Sequence, residues 1–241
     1  MKFLPLYIAV GLCVLCLPAC SSESSPEDVQ QADSSGRTDD AESIGMEQSD
    51  AGEGPRIVFL GDSITAANGL PEEQGYVHLL QTRFDSLGIP ARLVNAGVSG
   101  DTSTGGLNRL DWVLSGGVDI LVLELGGNDG LRGIDLTLTR SNLAAIIEQT
   151  RDVNPDVRIV LAGMQVPPNL GNEYTAEFSD MYPSLAAEYG TVLIPFLLKD
   201  VALVDGRMQN DGIHPTASGH AVMAETTWDA LKPLVDSATA P

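Results

Sequence analysis

The sequence is poor in basic residues. Among its 241 residues, 13 Lys and Arg stand against 33 Asp and Glu, so the formal net charge is −20 at pH 7. This charge repels nucleic-acid phosphates and leaves no basic patch to recruit them. We therefore expect no nucleic acid among its partners.

The chain also lacks the short motifs that hold cofactors. No Gly-x-Gly-x-x-Gly follows a strand, no phosphate loop ends in Gly-Lys-Ser/Thr, and no His-Glu-x-x-His occurs. The Gly-x-Ser-x-Gly elbow, which marks the classical α/β-hydrolases, is missing too. We expect the chemistry to come from side chains, without a cofactor or a metal.

Cysteine is scarce as well. Cys13 and Cys16 form a Cys-x-x-Cys, but both lie in the apolar run 3–17 behind a short basic start. That pattern predicts an export signal over residues 1–19, which argues against a redox or zinc role for the pair. The mature chain would keep only Cys20 and so form no internal disulfide.

The signal ends in Leu17-Pro18-Ala19-Cys20, which resembles the lipobox of bacterial lipoproteins. The resemblance implies a diacylglycerol thioether on Cys20 and an exported, membrane-anchored protein of the periplasm or cell envelope. Pro18 departs from the commonest lipobox pattern. An ordinary secretory signal cut near Ala19, with Cys20 as an incidental thiol, is the alternative.

Residues 20–54 have many Ser, Asp, Glu and Gln and hardly any large apolar side chains. Such a segment buries too little surface to offset the entropy of ordering it, so we expect a disordered acidic tether. A solubilising spacer explains the composition equally well. The folded domain is then expected over 55–241.

Apolar runs alternate with helical patterns through that domain, which predicts an α/β fold with a parallel sheet. The predicted strands are 56–60, 93–95, 120–124, 159–163 and 192–194. The predicted helices are 76–87, 107–114, 136–153, 177–189 and 216–234.

Ser63 follows the first predicted strand on a Gly-Asp turn, where a nucleophile would be exposed. Downstream, Asp211 precedes His214 by three residues, a spacing that lets the carboxylate orient one ring nitrogen and leaves the other for a serine. These residues indicate a serine hydrolase. Gly100 and Asn128 also follow strands closely, so their loops should meet Ser63 at the carboxyl edge of the sheet.

Four segments carry a family resemblance: Gly61-Asp62-Ser63, Ser99-Gly100-Asp101, Gly126-Gly127-Asn128-Asp129 and Asp211-Gly212-Ile213-His214-Pro215. In this order they resemble the blocks of the SGNH, or GDSL, hydrolases over roughly 55–235. Within the family, the sequence of residues 124–133 is most similar to the bacterial periplasmic thioesterase/lysophospholipase and arylesterase group. The resemblance implies a three-layer α/β/α, flavodoxin-like sandwich with a five-stranded parallel sheet.

The resemblance also implies roles. His214 would act as the base for Ser63 and Asp211 would orient it, while the backbone N–H of Ser63, the backbone N–H of Gly100 and the Asn128 amide would form the oxyanion hole. Each residue also has a structural interpretation: a helix N-cap for Ser63, positive φ for Gly100, an Asx turn for Asn128 and a loop acid for Asp211.

Other polar residues near these motifs receive structural interpretations. Asp62, Asp101 and Asp129 are expected to bond loop backbone. His78 and His220 fall on predicted helices, packed or facing solvent.

The substrates that the resemblance implies are carboxylic esters or thioesters, among them aryl esters, acyl thioesters and lysophospholipids. A carbohydrate O-acetylesterase or an acyltransferase of the same superfamily is the alternative enzyme. A surface lipoprotein that binds acylated ligands without catalysis is the alternative from another class.

The segment 164–174 follows the fourth predicted strand and resembles the matching loop of the thioesterase group. This implies one wall of an acyl groove beside Asn128, with Leu170 as its apolar contact. The alternative is that the loop only covers the edge of the sheet.

Overall fold

Five apolar segments pair side by side into one parallel sheet. The structure, a computed structural model, describes residues 54–239, with side chains up to residue 236. Neighbouring strands run parallel in the order β2-β1-β3-β4-β5. The strands are β1 (Arg56–Gly61), β2 (Arg92–Gly97), β3 (Ile120–Glu124), β4 (Arg158–Ala162) and β5 (Val192–Ile194).

Helices cover both faces of this sheet. They are α1 (Tyr76–Ser86), α2 (Ser103–Asn108), α3 (Leu110–Leu114), α4 (Gly127–Leu131), α5 (Leu136–Val153), α6 (Asn172–Tyr189) and α7 (Ala217–Thr239). α1 packs against α7, whereas α5 packs against α2, α3 and α6. The predicted three-layer α/β/α sandwich with five parallel strands is therefore confirmed.

The central strands explain why the sheet is covered on both faces. β3 is buried along its whole length, and β1 and β4 are buried except for their first residues. Continuous runs of Ile, Val and Leu cannot face water on either side, so helices must pack on both. The core accordingly lies on both faces of β1, β3 and β4.

The strand register brings three loops to one edge. Gly61, the last residue of β1, pairs with Gly97 at the end of β2 and with Glu124 at the end of β3. The chain leaves all three strands at the same level, so the segments that begin at Asp62, Val98 and Leu125 emerge side by side.

One predicted helix is in fact two. The pattern over 107–114 predicts a single helix, but the structure has α2 and α3, separated at Arg109 (φ −105°, ψ 5°). α2 begins early because the Thr102 hydroxyl caps it by accepting the Gly105 N–H at 3.3 Å. Arg109 leaves helical geometry at the point where its side chain turns toward the edge of the sheet.

Other helix limits differ from the predictions for local reasons. α4 was not predicted, because Gly127 and Gly130 are poor helix formers. Glycine is needed at position 130 because a Cβ there would lie 2.3 Å from the Val166 side chain. α6 begins at Asn172 instead of 177, directly after Gly171 turns the chain at φ +96°. α7 continues to Thr239, past its predicted end at 234.

The predicted signal 1–19, the lipidation site Cys20 and nearly all of the predicted tether 20–54 lie outside the described residues. Within residues 54–239, no helix is both long enough and apolar enough to cross a bilayer.

Candidate active site

Ser63 lies on a tight turn directly after β1. The carbonyl of Asp62 accepts the Ala66 N–H at 3.0 Å, and the carbonyl of Ser63 accepts the Asn68 N–H at 2.9 Å. A Cβ on Gly97 would lie 2.3 Å from the Ala66 nitrogen. Glycine at the end of β2 therefore lets this turn fold back against the sheet, with Ser63 at its start.

A continuous chain of hydrogen bonds joins Asp211, His214 and Ser63. Ser63 Oγ lies 3.0 Å from His214 Nε2, and His214 Nδ1 lies 2.7 Å from Asp211 Oδ2. The other Asp211 oxygen accepts the backbone N–H groups of Ile213 at 2.9 Å and His214 at 3.0 Å. The structure thus brings together the three residues that the sequence predicted as a triad, although Ser63 and His214 are 151 positions apart.

Electrostatics favour the charged form of Asp211. Hydrogen bonds from the His214 ring and from two backbone N–H groups hold the pKa of Asp211 well below its usual range. Asp211 is therefore a carboxylate at any physiological pH, in the form that orients an imidazole and stabilises an imidazolium.

The predicted oxyanion donors converge beside Ser63. Gly100 adopts φ +83°, as its structural interpretation requires. Within the described part of the chain, no group accepts a hydrogen bond from the backbone N–H of Ser63 or Gly100. Two of the three predicted donors are therefore free to meet an incoming oxygen.

The third predicted donor is already engaged. Asn128 Nδ2 donates to Asp62 Oδ2 at 3.0 Å and to the carbonyl of Asp101 at 2.9 Å. These bonds cross to other loops instead of returning to Asn128's own backbone, so they do not form an Asx turn. An oxyanion would therefore compete for a hydrogen that already has an acceptor.

The expectation that the neighbouring acids bond loop backbone is confirmed for Asp62 and Asp129, which also bond side chains, whereas Asp101 bonds a side chain instead. Asp62 accepts the Ile64 N–H at 2.9 Å but also holds Asn128. Asp101 pairs with Arg109 Nε at 2.7 Å. Asp129 accepts both the backbone N–H of Ser103 at 2.8 Å and its hydroxyl at 2.5 Å. Each acid ties one site loop to another.

Sequence reasoning missed two arginines. Arg109 bonds the Asp101 carboxylate through Nε and the Gly61 carbonyl through Nη2 at 3.0 Å. Arg132 Nη2 bonds the Gly100 carbonyl at 3.0 Å. Arg109 lies outside the four motifs, and Arg132 lies in the stretch 124–133 that carries the family resemblance but has no role implied by it, so the sequence alone does not distinguish either from a surface arginine.

Glu124 is a second omission. It ends the otherwise apolar strand β3 and is fully buried, with the Thr65 hydroxyl 2.8 Å from Oε2. Burial, followed by the charge of Asp62, raises the pKa of Glu124 well above its usual value. Burial also raises the pKa of Asp62 to about 6, against opposing hydrogen bonds from Ile64 and Asn128. An acid at the end of an apolar strand is the signal that could have identified Glu124.

The loop after β4 packs against the helix that carries Asn128. Met164 and Val166 are buried, and their side chains face Gly127 and Gly130 of α4. Leu170, on a 3₁₀ turn over Pro168–Leu170, is half-buried against the core. The loop therefore lies where the predicted groove wall should be, while contact of Leu170 with substrate stays a prediction.

The two other histidines have structural surroundings. His78 is exposed on α1, whereas His220 is buried on α7 and accepts the Tyr76 N–H at 3.3 Å. In residues 54–239, no cluster of three or more His, Cys, Asp or Glu could hold a metal ion.

Comparisons with known proteins agree with this arrangement. Residues 59–222 match the family described as GDSL-like lipase/acylhydrolase. Esterase TesA of Pseudomonas aeruginosa is 45% identical over 180 residues, which cover 74% of this chain and 89% of that protein. Thioesterase 1/protease 1/lysophospholipase L1 of Escherichia coli is 36% identical over 181 residues, or 75% and 85% of the two chains.

A solved structure resembles the fold as a whole. The psychrotrophic esterase EstA from Pseudoalteromonas sp., inhibited by monoethylphosphonate, superposes with a TM-score of 0.72 at 32% identity. The match covers 76% of this chain and 99% of that structure. The family match spans Ser63 through His214, and with the relatives it shows that this chain belongs to the GDSL-like lipase/acylhydrolase family.

Proposed function

We propose that this protein is a serine hydrolase that cleaves carboxylic esters and thioesters through an acyl-serine intermediate on Ser63. The hydrogen-bonded chain from Asp211 through His214 to Ser63 Oγ carries the proposal. Membership of the family and the similarity to proteins named esterase and thioesterase support it.

Acylation begins at Ser63. A neutral serine is a weak nucleophile, so His214 Nε2 takes the hydroxyl proton as Oγ forms its bond to the acyl carbon. Asp211 accepts from Nδ1 and stabilises the imidazolium that forms. When the tetrahedral intermediate collapses, His214 gives the proton to the leaving oxygen or sulfur, and the ester or thioester bond breaks.

The tetrahedral intermediate carries negative charge on the former carbonyl oxygen. The unengaged N–H groups of Ser63 and Gly100 can donate to it, together with one hydrogen of the Asn128 amide. Losing one donor of this kind typically costs about 10²–10³ in rate. Deacylation repeats the sequence with water, from which His214 removes a proton while Ser63 becomes the leaving group.

Apolar side chains next to the site suit an acyl or aryl group. Val98 and Leu131 are each 44% exposed and Ile213 is 46% exposed. Each lies within three residues of Gly100, Asn128 or His214 along the chain. Medium-chain esters, aryl esters, acyl thioesters and lysophospholipids are the substrates we propose, in preference to acetylated carbohydrate.

The direct test is the variant Ser63→Ala. It should abolish hydrolysis of p-nitrophenyl butyrate without altering the thermal unfolding midpoint much, because only one oxygen atom is removed. Ser86→Ala, at the exposed end of α1, makes the same change away from the site and should retain full activity. Substantial turnover by pure Ser63→Ala would refute the proposal.

A substrate panel separates the alternatives. Acyl-CoA, lysophosphatidylcholine and an acetylated oligosaccharide, assayed beside p-nitrophenyl esters, identify the substrate class. Preference for the oligosaccharide would favour the O-acetylesterase. Tight binding of acyl ligand by a wild-type protein that hydrolyses none of them would favour the non-catalytic lipoprotein.

We also propose that the protein is exported and anchored in the cell envelope through lipid on Cys20. The support is the lipobox-like Leu17-Pro18-Ala19-Cys20 after an apolar run. The tether would let the site reach membrane-derived substrates. Mass spectrometry of the native mature protein should find a lipid-modified Cys20, and Cys20→Ala should leave the membrane fraction or stall in processing. An unmodified mature N-terminus would contradict the anchor.

A further inference from the structure

Two carboxyl groups are buried beneath the nucleophile turn. Asp62 is 2% exposed and Glu124 is 0% exposed. In the part of the chain that the structure describes, no lysine or arginine forms a salt bridge with either of them. Burying acids without such partners is costly, so their position calls for a function that outweighs the cost.

Asp62 uses its two oxygens for two different partners. Oδ1 accepts the Ile64 N–H at 2.9 Å, within the nucleophile turn. Oδ2 accepts the Asn128 amide at 3.0 Å, on α4. One side chain therefore fixes the position of the predicted oxyanion donor relative to the residue beside Ser63.

The two hydrogens of the Asn128 amide have acceptors of different strength, the carboxylate of Asp62 and the carbonyl of Asp101. The second hydrogen is donated to the backbone carbonyl of Asp101 at 2.9 Å, and a neutral carbonyl is a weaker acceptor than a carboxylate. When an oxyanion forms, the bond to the Asp101 carbonyl is the one that yields. The bond to Asp62 remains and keeps the amide in its plane.

Glu124 supports Asp62 from the end of β3. Its Oε2 accepts the Asp62 N–H at 3.2 Å, and a Cβ on Gly61 would lie 2.7 Å from this oxygen. Glycine at 61 thus makes room for Glu124. The other oxygen, Oε1, is buried and has no hydrogen-bond partner among the described residues. A protonated Glu124 can direct that hydroxyl toward the Asp62 carboxylate.

We propose that Asp62, supported by Glu124, is the positioning residue that orients the Asn128 amide so that its second hydrogen meets the oxyanion. Asp62 does not touch the substrate; it acts through Asn128. This inference rests on the proposed ester hydrolysis, and the experiments below distinguish a failure of one from a failure of the other.

Asp62→Asn is the first variant. An amide has only one oxygen, so in either orientation it loses the bond to Ile64 or the bond to Asn128. We expect kcat on p-nitrophenyl butyrate to fall about tenfold or more, but by less than the roughly 10²–10³ for a lost donor, with KM changed less than about twofold. Asp180→Asn makes the same change on the exposed face of α6 and should match wild type. A fall confined to KM would overturn the proposal.

A double-mutant cycle with Asn128→Ala shows whether Asp62 acts through Asn128. Asn128→Ala alone should lower kcat by about 10²–10³. In that background, adding Asp62→Asn should lower kcat by less than about twofold, because the amide that it positions is gone. The same fold-loss in both backgrounds would overturn the proposal.

Glu124 has a conservative variant that tests its hydroxyl. Glu124→Gln supplies an amide donor toward Asp62 and an oxygen for the Asp62 N–H, whereas Glu124→Leu supplies neither. We expect Glu124→Gln to retain several-fold more kcat than a folded Glu124→Leu. Equal losses in the two would remove Glu124 from the proposal.

NMR spectroscopy of the wild-type protein tests the proposal without an activity assay and without any variant. In wild-type protein, the two side-chain amide protons of Asn128 should resonate far apart and exchange slowly, because both are hydrogen-bonded and one bonds a carboxylate. Shifts typical of a free, solvated amide would overturn the proposal. If wild-type protein hydrolyses no ester while these resonances behave as expected, the proposed function is wrong, but the orientation of the Asn128 amide by Asp62 is still supported.

Discussion

At the scale of single residues, Arg109 connects loops that the sequence places far apart. Its guanidinium bonds the Gly61 carbonyl before the nucleophile and the Asp101 carboxylate after Gly100. Both side chains of this ion pair are less than one-fifth exposed. Arg109 therefore fixes the distance between two of the proposed oxyanion donors, those of Ser63 and Gly100.

Arg109→Lys should weaken this connection. An ammonium can reach one of the two acceptors but cannot match the planar geometry that bonds both. We expect the free energy of unfolding to fall by about 1–3 kcal/mol, as for a buried hydrogen bond to a charged group, and kcat to fall with it. Urea denaturation and steady-state kinetics measure the two effects. Arg92→Lys, exposed on β2, is the control, and an equally small effect at both sites would contradict this role.

Short sequence motifs predicted the residues that would carry out the chemistry. They did not predict the residues that hold the loops of the site in place. Ser63, Asp211 and His214 are recognisable because acyl transfer needs these residue types at these spacings. Arg109 and Glu124 act through contacts with loops that are remote in sequence. Only its burial and its partners distinguish Arg109, and both depend on the folded sheet, whereas Glu124 also stands out in the sequence as an acid at the end of an apolar strand.

At the scale of elements, a histidine joins α1 to α7. The Tyr76 N–H is in the first turn of α1, where no earlier helical carbonyl is available, and His220 Nδ1 accepts it from α7. The two rings also stack, with centroids 6.1 Å apart. Protonation at Nδ1 would remove the acceptor. Burial, followed by the charge of His214, lowers the pKa of His220 to about 4 and so opposes this protonation.

His220→Asn should make stability less sensitive to acid. The pKa of His220 is lower in the folded chain than in the unfolded one, so the unfolded state takes up its proton first. Stability is lost as the pH falls from about 6.5 to about 4, at roughly 1.4 kcal/mol per pH unit. Asn can offer an oxygen near the position of Nδ1 without titrating.

The measurement is the difference in unfolding free energy between wild type and His220→Asn at several pH values. Taking the difference removes the opposing contribution of the buried acids Asp62 and Glu124. At pH 7 the unfolding free energy of wild type should exceed that of His220→Asn, and this difference should shrink as the pH falls from about 6.5 to about 4. A constant difference for His220→Asn would contradict the role of its ring.

The loop after β4 is the element that we expect to select acyl length. Leu170→Ala removes apolar surface from the proposed groove wall, where each buried methylene is worth up to about 0.8 kcal/mol. We expect kcat/KM on p-nitrophenyl octanoate to fall several-fold more than on p-nitrophenyl acetate. Leu87→Ala, exposed after α1, is the control. Equal losses on both esters would mean that Leu170 only packs the loop, consistent with its half-buried position.

The sequence predicts a helix or strand well where the pattern of apolar residues and the intrinsic propensity of those residues favour the same structure. β3 and β5 have their predicted limits because each is a run of Ile, Leu and Val with clear ends: Asp119 and Glu124 bound the run in β3, and Thr191 and Pro195 bound β5. α4 was not predictable, because one of its helix-disfavouring glycines, Gly130, is there for close packing against Val166 and Phe178. Its helical geometry depends on tertiary contacts, which outweigh propensity.

At the scale of the whole molecule, the dominant property is negative charge. The whole chain has a formal charge of −20, and the cations at the site, Arg109 and Arg132, already bond Asp101 and backbone carbonyls. A long-range field of this sign repels anionic substrates before they reach the site. It has little effect on neutral esters, so the same site should treat the two substrate types differently as salt is varied.

The last prediction compares an anionic with a neutral substrate. Acyl-CoA carries several phosphate charges, whereas the p-nitrophenyl ester of the same acyl chain carries none. The screening length falls from about 30 Å at 0.01 M salt to about 8 Å at 0.15 M. We expect kcat/KM for acyl-CoA to rise several-fold over this range while that for the neutral ester stays nearly constant. A fall with added salt would instead show that Arg132, at the Gly100 carbonyl, attracts the phosphates locally, since screening weakens an attraction just as it weakens a repulsion.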